Sequence, residues 1–359
     1  MSTPQLKLHE SIEDSCKAIL GFLKKETDDG LKLLMMDDLL LKSRQLTNVS
    51  QQNQTLLNAL TNFVPLEVRD RLSFFNIEGQ DTVKSKKKID VAIVTVILNE
   101  LIAAKLALGI ELDKKHDGIE NGLRFWEATI TTSSNRQLSV VLMMGGEAGN
   151  VQCATATSRL LNAYETSLCI LVGIACGRKK KVKLGDVVFG EIVLDYEYAR
   201  LETKGRVKRP RPYPLRLPIR RDLQHFAPSL CGWHEGFASR LGILLSNEAL
   251  AFPKEVDKDF RPGFHDKSVI LAGEKLVADG SFPSLASEYD ERAKALEMEG
   301  AGFARVCEEY DTPWFVARGI SDYGDPQKGD HWQAIAALGA ATATVNFLKN
   351  SYQLDDREF

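Results

Sequence analysis

No apolar run in this 359-residue sequence reaches the roughly 18–20 consecutive residues that span a bilayer, so a transmembrane helix is not expected. The N-terminus, Met1-Ser-Thr-Pro-Gln-Leu6, lacks the basic-then-apolar pattern of a signal peptide. The expected location is therefore the cytoplasm. Cysteine is sparse and scattered: Cys16, Cys153, Cys169, Cys176, Cys231 and Cys307 include no Cys-x-x-Cys pair. That argues against a disulfide framework or a zinc ribbon and leaves reduced thiols in a core or lining a site. The six histidines are dispersed, with no i, i+4 pair on a helix face. The sequence thus calls for no metal or other cofactor. An excess of charge is missing too. The 46 basic and 49 acidic side chains leave a net charge of −3, which predicts no general affinity for nucleic acid or anionic membrane.

Strand signal is absent from residues 1 to about 75. Ile12, Cys16, Ile19 and Leu23 recur at a helical period with Asp14, Lys17 and Lys24 between them. A Leu- and Met-rich stretch follows from Leu31, and Pro65 suits a helix start. Residues 1–78 therefore read as a small all-helical domain, and 79–88, ending in Lys86-Lys-Lys88, as a basic linker. No residue in 1–78 identifies a partner. A regulatory or oligomerisation role is inferred from its place in the chain.

The pattern changes at Ile89. Val91-Ala-Ile-Val-Thr-Val-Ile97 is the nearly continuous β-branched run of a strand buried on both faces. Leu98 to Leu108 reads as a helix. Further strands are expected at 138–143, 168–172, 186–193, 268–272 and 314–318, with helices at 151–164, 235–244, 301–310 and 331–350. This alternation predicts an α/β domain over 89–350, with a mainly parallel mixed sheet between helical layers. Residues 204–221 carry four prolines and many arginines and are expected to be a surface excursion.

The most specific chemistry lies late in the chain. Ala295-Leu-Glu-Met-Glu-Gly-Ala301 and Val316-Ala-Arg-Gly-Ile-Ser-Asp322 each read as a buried strand running into charged residues. Carboxylates at strand ends are costly unless a ligand or partner uses them. Open α/β sheets bind ligands at this end of their strands. Glu297-Met-Glu299 followed by Arg318-Gly-Ile-Ser-Asp322 resembles the signature of the nucleoside phosphorylase and nucleosidase superfamily, whose members cleave N-glycosidic bonds. The resemblance spans about 260 residues, from Ile89 to Leu348, and implies a three-layer phosphorylase-like fold.

It also implies roles. Asp322 would be the acid that protonates or hydrogen-bonds the leaving purine; the ordinary alternative is a turn aspartate. Glu299 would hold two ribose hydroxyls, since one carboxylate can accept from both. Met298 would pack on the sugar, Glu297 and Ser321 would support the site, and Arg318 would orient the acids. Glu100, at the end of the first strand, corresponds to the glutamate that activates water in hydrolytic members. Gly149 and the stretch Ile174, Ala175, Cys176 and Gly177 match two glycine-rich loops, expected here to be turns that let a ligand approach the backbone. Leu276 and Val277 match the segment that lines the base.

Phosphorolytic members carry phosphate-binding side chains at positions occupied here by Leu171 and Ile174, so hydrolysis is favoured. The motif series through Trp332-Gln333 is most similar to the effector domains of anti-phage and immune systems, which act as ATP nucleosidases. Arg178, Lys179, Lys180, Lys181 and Lys328, with further arginines over 206–221, could meet a 5′-triphosphate. A solvated charged loop is the ordinary alternative. The expected function is hydrolysis of ATP or a related adenine nucleotide in defence, by a homo-oligomer. The alternatives are a housekeeping methylthioadenosine-type nucleosidase and a non-catalytic nucleotide sensor.

Overall fold

The computed structural model describes residues 86–352 apart from 204, 227–231, 248–249, 251, 255 and 328. The expected helical domain (1–78) and most of the linker lie outside the described residues. The linker's last two lysines do not belong to a linker, because β1 already begins at Lys87 (Lys87–Thr95).

β1 is buried from Val91 to Thr95 and pairs in parallel on both sides, with β4 (Gln137–Met144) and β5 (Tyr164–Gly177). Its β-branched run is what a strand between two neighbours and two covered faces requires. β2 (Gly118–Glu120) and β3 (Leu123–Thr131) extend the sheet beyond β4 as antiparallel strands. On the other flank come β6 (Val187–Asp195), β10 (Phe264–Ala272), β11 (Ala293–Glu297) and β12 (Trp314–Asp322). The order β11-β10-β6-β12-β5 closes on itself, because β11 also pairs with the end of β5. Five strands thus form a ring, from which β1, β4, β3 and β2 extend.

The sheet is mixed, as expected, and parallel pairing makes up most of its described register, although antiparallel ladders are as many. In the large sheet five described pairings are parallel and five antiparallel. Antiparallel contacts occur at the β12–β6 seam, at the ring closure and at the outer strands. The proline-rich stretch is also more ordered than a surface excursion. A hairpin, β7 (Ala199–Glu202) with β8 (Gly205–Lys208), leads into β9 (Arg211–Pro214), which pairs with β6 alone. Proline lacks an N–H, and an edge strand tolerates it.

Helices cover both faces. α1 (Leu98–Leu108), α4 (Trp233–Leu245) and α7 (Gln333–Asn350) pack together on one side, and α2 (Asn150–Ala163) against α6 (Gly300–Glu309) on the other. Short α3 (Leu217–His225) lies against β10 and α5 (Phe282–Tyr289) against β11. α7 lies so close to β12 that a Cβ on Gly319 would strike the Ala336 backbone. No helix among the described residues is long and apolar enough to cross a membrane. Phe347 of α7 meets Phe189 and Phe315 edge-on, with ring centres 6.3 and 5.3 Å apart, and those two rings lie tilted at 5.3 Å. Each fully buried ring stabilises the domain by roughly 1.5–3 kcal/mol.

Candidate active site

Cys176 near the end of β5 is the register partner of both Leu296 in β11 and Asp322 in β12. The two carboxylate-bearing motifs therefore flank β5 and do not pair with each other. β11 ends at Glu297. Met298 and Glu299 form the bend before α6, where Glu299 is the N-cap residue. The sequence Gly173 to Gly177, expected to be a turn, continues β5 as strand to Gly177.

Three carboxylates surround one guanidinium. Arg318, in the middle of β12, has no solvent exposure. Its Nη2 donates to Glu297 and, at 3.1 Å, to Glu299 Oε2. Its Nη1 lies 3.8 Å from Glu100 Oε1. The acids are also held by backbone. Glu100, in the first turn of α1, accepts from Val96 N at 2.7 Å, Ile97 N at 3.1 Å and Ile174 N at 2.9 Å. Glu297 accepts from Gly300 N at 2.9 Å and Glu299 N at 3.1 Å, both at the N-terminus of α6. Helix N-termini stabilise such anions. Glu299 Oε1 accepts from Gly149 N at 3.2 Å. Gly173 is required beneath the cluster, since a Cβ there would occupy the space of the Arg318 guanidinium and the Glu100 carboxylate.

Burial raises the Glu100 carboxyl above its ordinary value; Arg318 opposes the rise and the neighbouring Glu299 adds to it. Burial pushes Glu297 up as well, against the pull of Arg318. Burial also works against the charge on Arg318, but the carboxylates outweigh it and hold the guanidinium above its usual range. With all four groups ionised, three negative charges face one positive charge. The excess suits a cation forming nearby.

Asp322 ends β12. Its Oδ2 accepts from Ser321 Oγ at 2.9 Å and its Oδ1 from Gly324 N at 2.8 Å, within a turn where Gly324 has φ 62°. The carboxylate is fixed at the wall of a cavity of about 200 Å³. Glu100, Ile174, Ala175, Cys176, Leu276, Val277, Glu297, Met298, Glu299 and Ser321 line the same cavity. Arg318, Gly149 and Gly177 are not part of this lining. Arg318 and Gly149 act on it through their hydrogen bonds to Glu299. Sequence reasoning did not single out Val96, Ile97, Ala148, Lys275, Leu296 or Gln333, which also line it. Lys275 and Gln333 belong to motif stretches already read, and the apolar members carry no signal of their own. Of the cysteines, Cys176 lines the cavity, while Cys153, Cys169 and Cys307 are buried free thiols.

The basic run divides. Arg178 is buried and turned away, donating to Glu291 Oε2 at 2.9 Å, to the Glu291 carbonyl and to Ser287 Oγ. Lys179 pairs with Asp325 at 3.4 Å and lines a second cavity. Lys180 and Lys181 are exposed and line neither. Lys328 lies outside the described residues.

Residues 100–348 match the family model of the phosphorylase superfamily. The chain is 30% identical over 265 residues to an ATP nucleosidase, Cap17, of Escherichia coli (strain KTE188). The match takes in 73% of this chain and 51% of that protein, so the chain spans about half the length of this relative. It is 26% identical over 223 residues to a 5′-methylthioadenosine/S-adenosylhomocysteine nucleosidase of Oceanobacillus iheyensis, covering 59% of this chain and 81% of that one. Among solved structures, the corresponding nucleosidase of S. pneumoniae superposes with a TM-score of 0.51 at 19% identity, covering 73% of this chain and 99% of that one. This last likeness is one of fold.

Proposed function

The chain belongs to the phosphorylase superfamily, and on that premise we propose that it hydrolyses the N-glycosidic bond of ATP or a related adenine nucleotide and releases adenine. The observation that carries the reading is the buried Glu100–Arg318–Glu299 cluster, facing Asp322 across one cavity.

In the proposed reaction, Asp322 hydrogen-bonds or protonates the leaving purine, so that the base departs neutral. Glu299, oriented by Arg318 and Gly149, accepts from the ribose hydroxyls. The excess negative charge of the cluster stabilises the ribosyl cation. Glu100 takes a proton from the attacking water; its raised pKa makes it the stronger base once ionised. Phosphorolysis is disfavoured on geometry. Leu171 is fully buried in the core, and the Ile174 N–H is already used by Glu100. A phosphate dianion there would meet the Glu100 carboxylate, and the neighbouring Arg318 is already held by Glu297 and Glu299.

A role in anti-phage defence, a cytoplasmic homo-oligomer and a regulatory use of residues 1–78 are parts of the same proposal. They rest on the resemblance to immune effector domains and on the order of the domains.

One observation favours a second reading. Apolar Val96, Ile97, Ala148, Ile174, Leu276 and Val277 make up much of the 200 Å³ cavity, which suits a nucleoside of the methylthioadenosine type. Incubating the protein with ATP, AMP, adenosine and methylthioadenosine, and identifying the released base by chromatography, separates the two. Adenine released fastest from ATP supports the first reading. Fastest release from methylthioadenosine supports the second.

A further inference from the structure

Ser321 and Asp322, which line the catalytic cavity, also line a second one of about 510 Å³. Its walls hold three rings, Phe252, Tyr323 and Trp332, and three basic side chains, Lys179, Lys254 and His331. The catalytic cavity is smaller than the roughly 300–1,000 Å³ usual for ligand pockets, and the second falls within that range. Among the described residues, the only lysine lining the catalytic cavity is Lys275, which pairs with Glu197 at 3.0 Å. A nucleoside has its partners there. Three phosphate groups do not.

We propose that the larger cavity receives the 5′-polyphosphate of the substrate, with Lys179 and Lys254 as its cationic ligands and His331 beside them. The proposal rests on the nucleotide N-glycosidase reading given above. Lys254 is exposed and makes no ion pair with any described residue. Its compact charge on a flexible stem can follow a phosphate chain. Lys179 pairs with Asp325 at 3.4 Å and lies 5.6 Å from the centre of the Tyr323 ring. A polyphosphate carries more charge than one carboxylate and would compete for it. The same pair offsets the repulsion that Asp325 would otherwise exert on an anion. The rings in the lining reduce hydration, which strengthens charge-assisted contacts. Arg178, the obvious candidate by sequence, is already committed to Glu291.

The test compares Michaelis constants for ATP and adenosine in the unmodified protein, Lys254→Ala and Lys179→Ala. The ratio of the ATP constant to the adenosine constant is expected to rise about tenfold or more in each variant. A ratio unchanged in both overturns the proposal. A second measurement needs no turnover. Inorganic tripolyphosphate is titrated calorimetrically into Asp322→Asn, with and without Lys254→Ala. Binding that weakens with Lys254→Ala supports the proposal, and binding indifferent to it overturns it. Two ATP molecules bound per Asp322→Asn chain would assign the cavity to a separate nucleotide and also overturn it. If the unmodified protein releases no adenine while tripolyphosphate binding still depends on Lys254, the hydrolase reading fails and the subsite stands.

Discussion

Arg318 Nη2 donates to Glu299 Oε2 at 3.1 Å from a position with no exposure to solvent. The same nitrogen also holds Glu297. Removing the guanidinium leaves buried carboxylates without their counter-charge, which typically costs about 3–5 kcal/mol. Arg318→Met is therefore expected to lower unfolding stability by about that amount in a urea titration at neutral pH. A loss below about 0.5 kcal/mol, the scale of a neutral surface change, would show that the cluster is not held by this charge.

Gly173→Ala tests the packing beneath the cluster. The added methyl needs the space of the Arg318 guanidinium and the Glu100 carboxylate. Overpacking of this kind costs about 1–3 kcal/mol. It should also displace the two side chains, so turnover is expected to fall further than substrate affinity. Unchanged turnover in a folded variant would separate Gly173 from the chemistry.

The raised pKa of Glu100 predicts a pH dependence of defined sign. Its ordinary value is 4.5 and burial raises it in the fold. The folded state thus binds more protons than the unfolded state as pH climbs above 4.5. The stability contributed by the protonated group is fully present below that value and is lost as pH rises through the raised one. Glu100→Gln removes the titration. Measured by denaturant unfolding, the variant is expected to gain on the unmodified protein as pH rises above 4.5. A difference that stays constant with pH would contradict the assignment. As a base, Glu100 must be ionised, so the acid limb of the rate profile should lie above the ordinary carboxylate value and disappear in Glu100→Gln.

Asp322→Asn keeps the shape of the side chain and removes the acid. Turnover is expected to fall at least about 10²-fold. Unfolding stability should change little, because Ser321 Oγ and Gly324 N can still donate to the amide oxygen or be met by solvent at the cavity wall. Near-normal base release would reject Asp322 as the acid.

The strands and helices that build the site were largely legible because burial on both faces writes itself as continuous β-branched runs. Val91 to Thr95 is the example, while Trp314 to Asp322 is legible as a buried run that ends in charge. Helix α1 occupies the stretch read from sequence, Leu98–Leu108. β3 was missed because it is an outer strand, whose buried Phe125, Trp126 and Ile130 are interleaved with exposed Arg124 and Glu127. β9 was hidden by prolines that only an edge position permits. At the site, the residue types that belong together could be read from motifs, but their partners could not. Nothing in the sequence shows that Glu291 occupies Arg178, or that Lys254, over seventy residues from Lys179, lines the same cavity. Those are consequences of how β5, β11 and β12 converge.

The central claim is hydrolytic release of adenine from a phosphorylated adenine nucleoside. The most direct measurement follows adenine and the sugar product from ATP, with and without added inorganic phosphate, in the unmodified protein. The account predicts adenine and ribose triphosphate at a rate that phosphate does not increase. Phosphate-dependent release with a 1-phosphorylated sugar, or adenosine outrunning ATP, would contradict it.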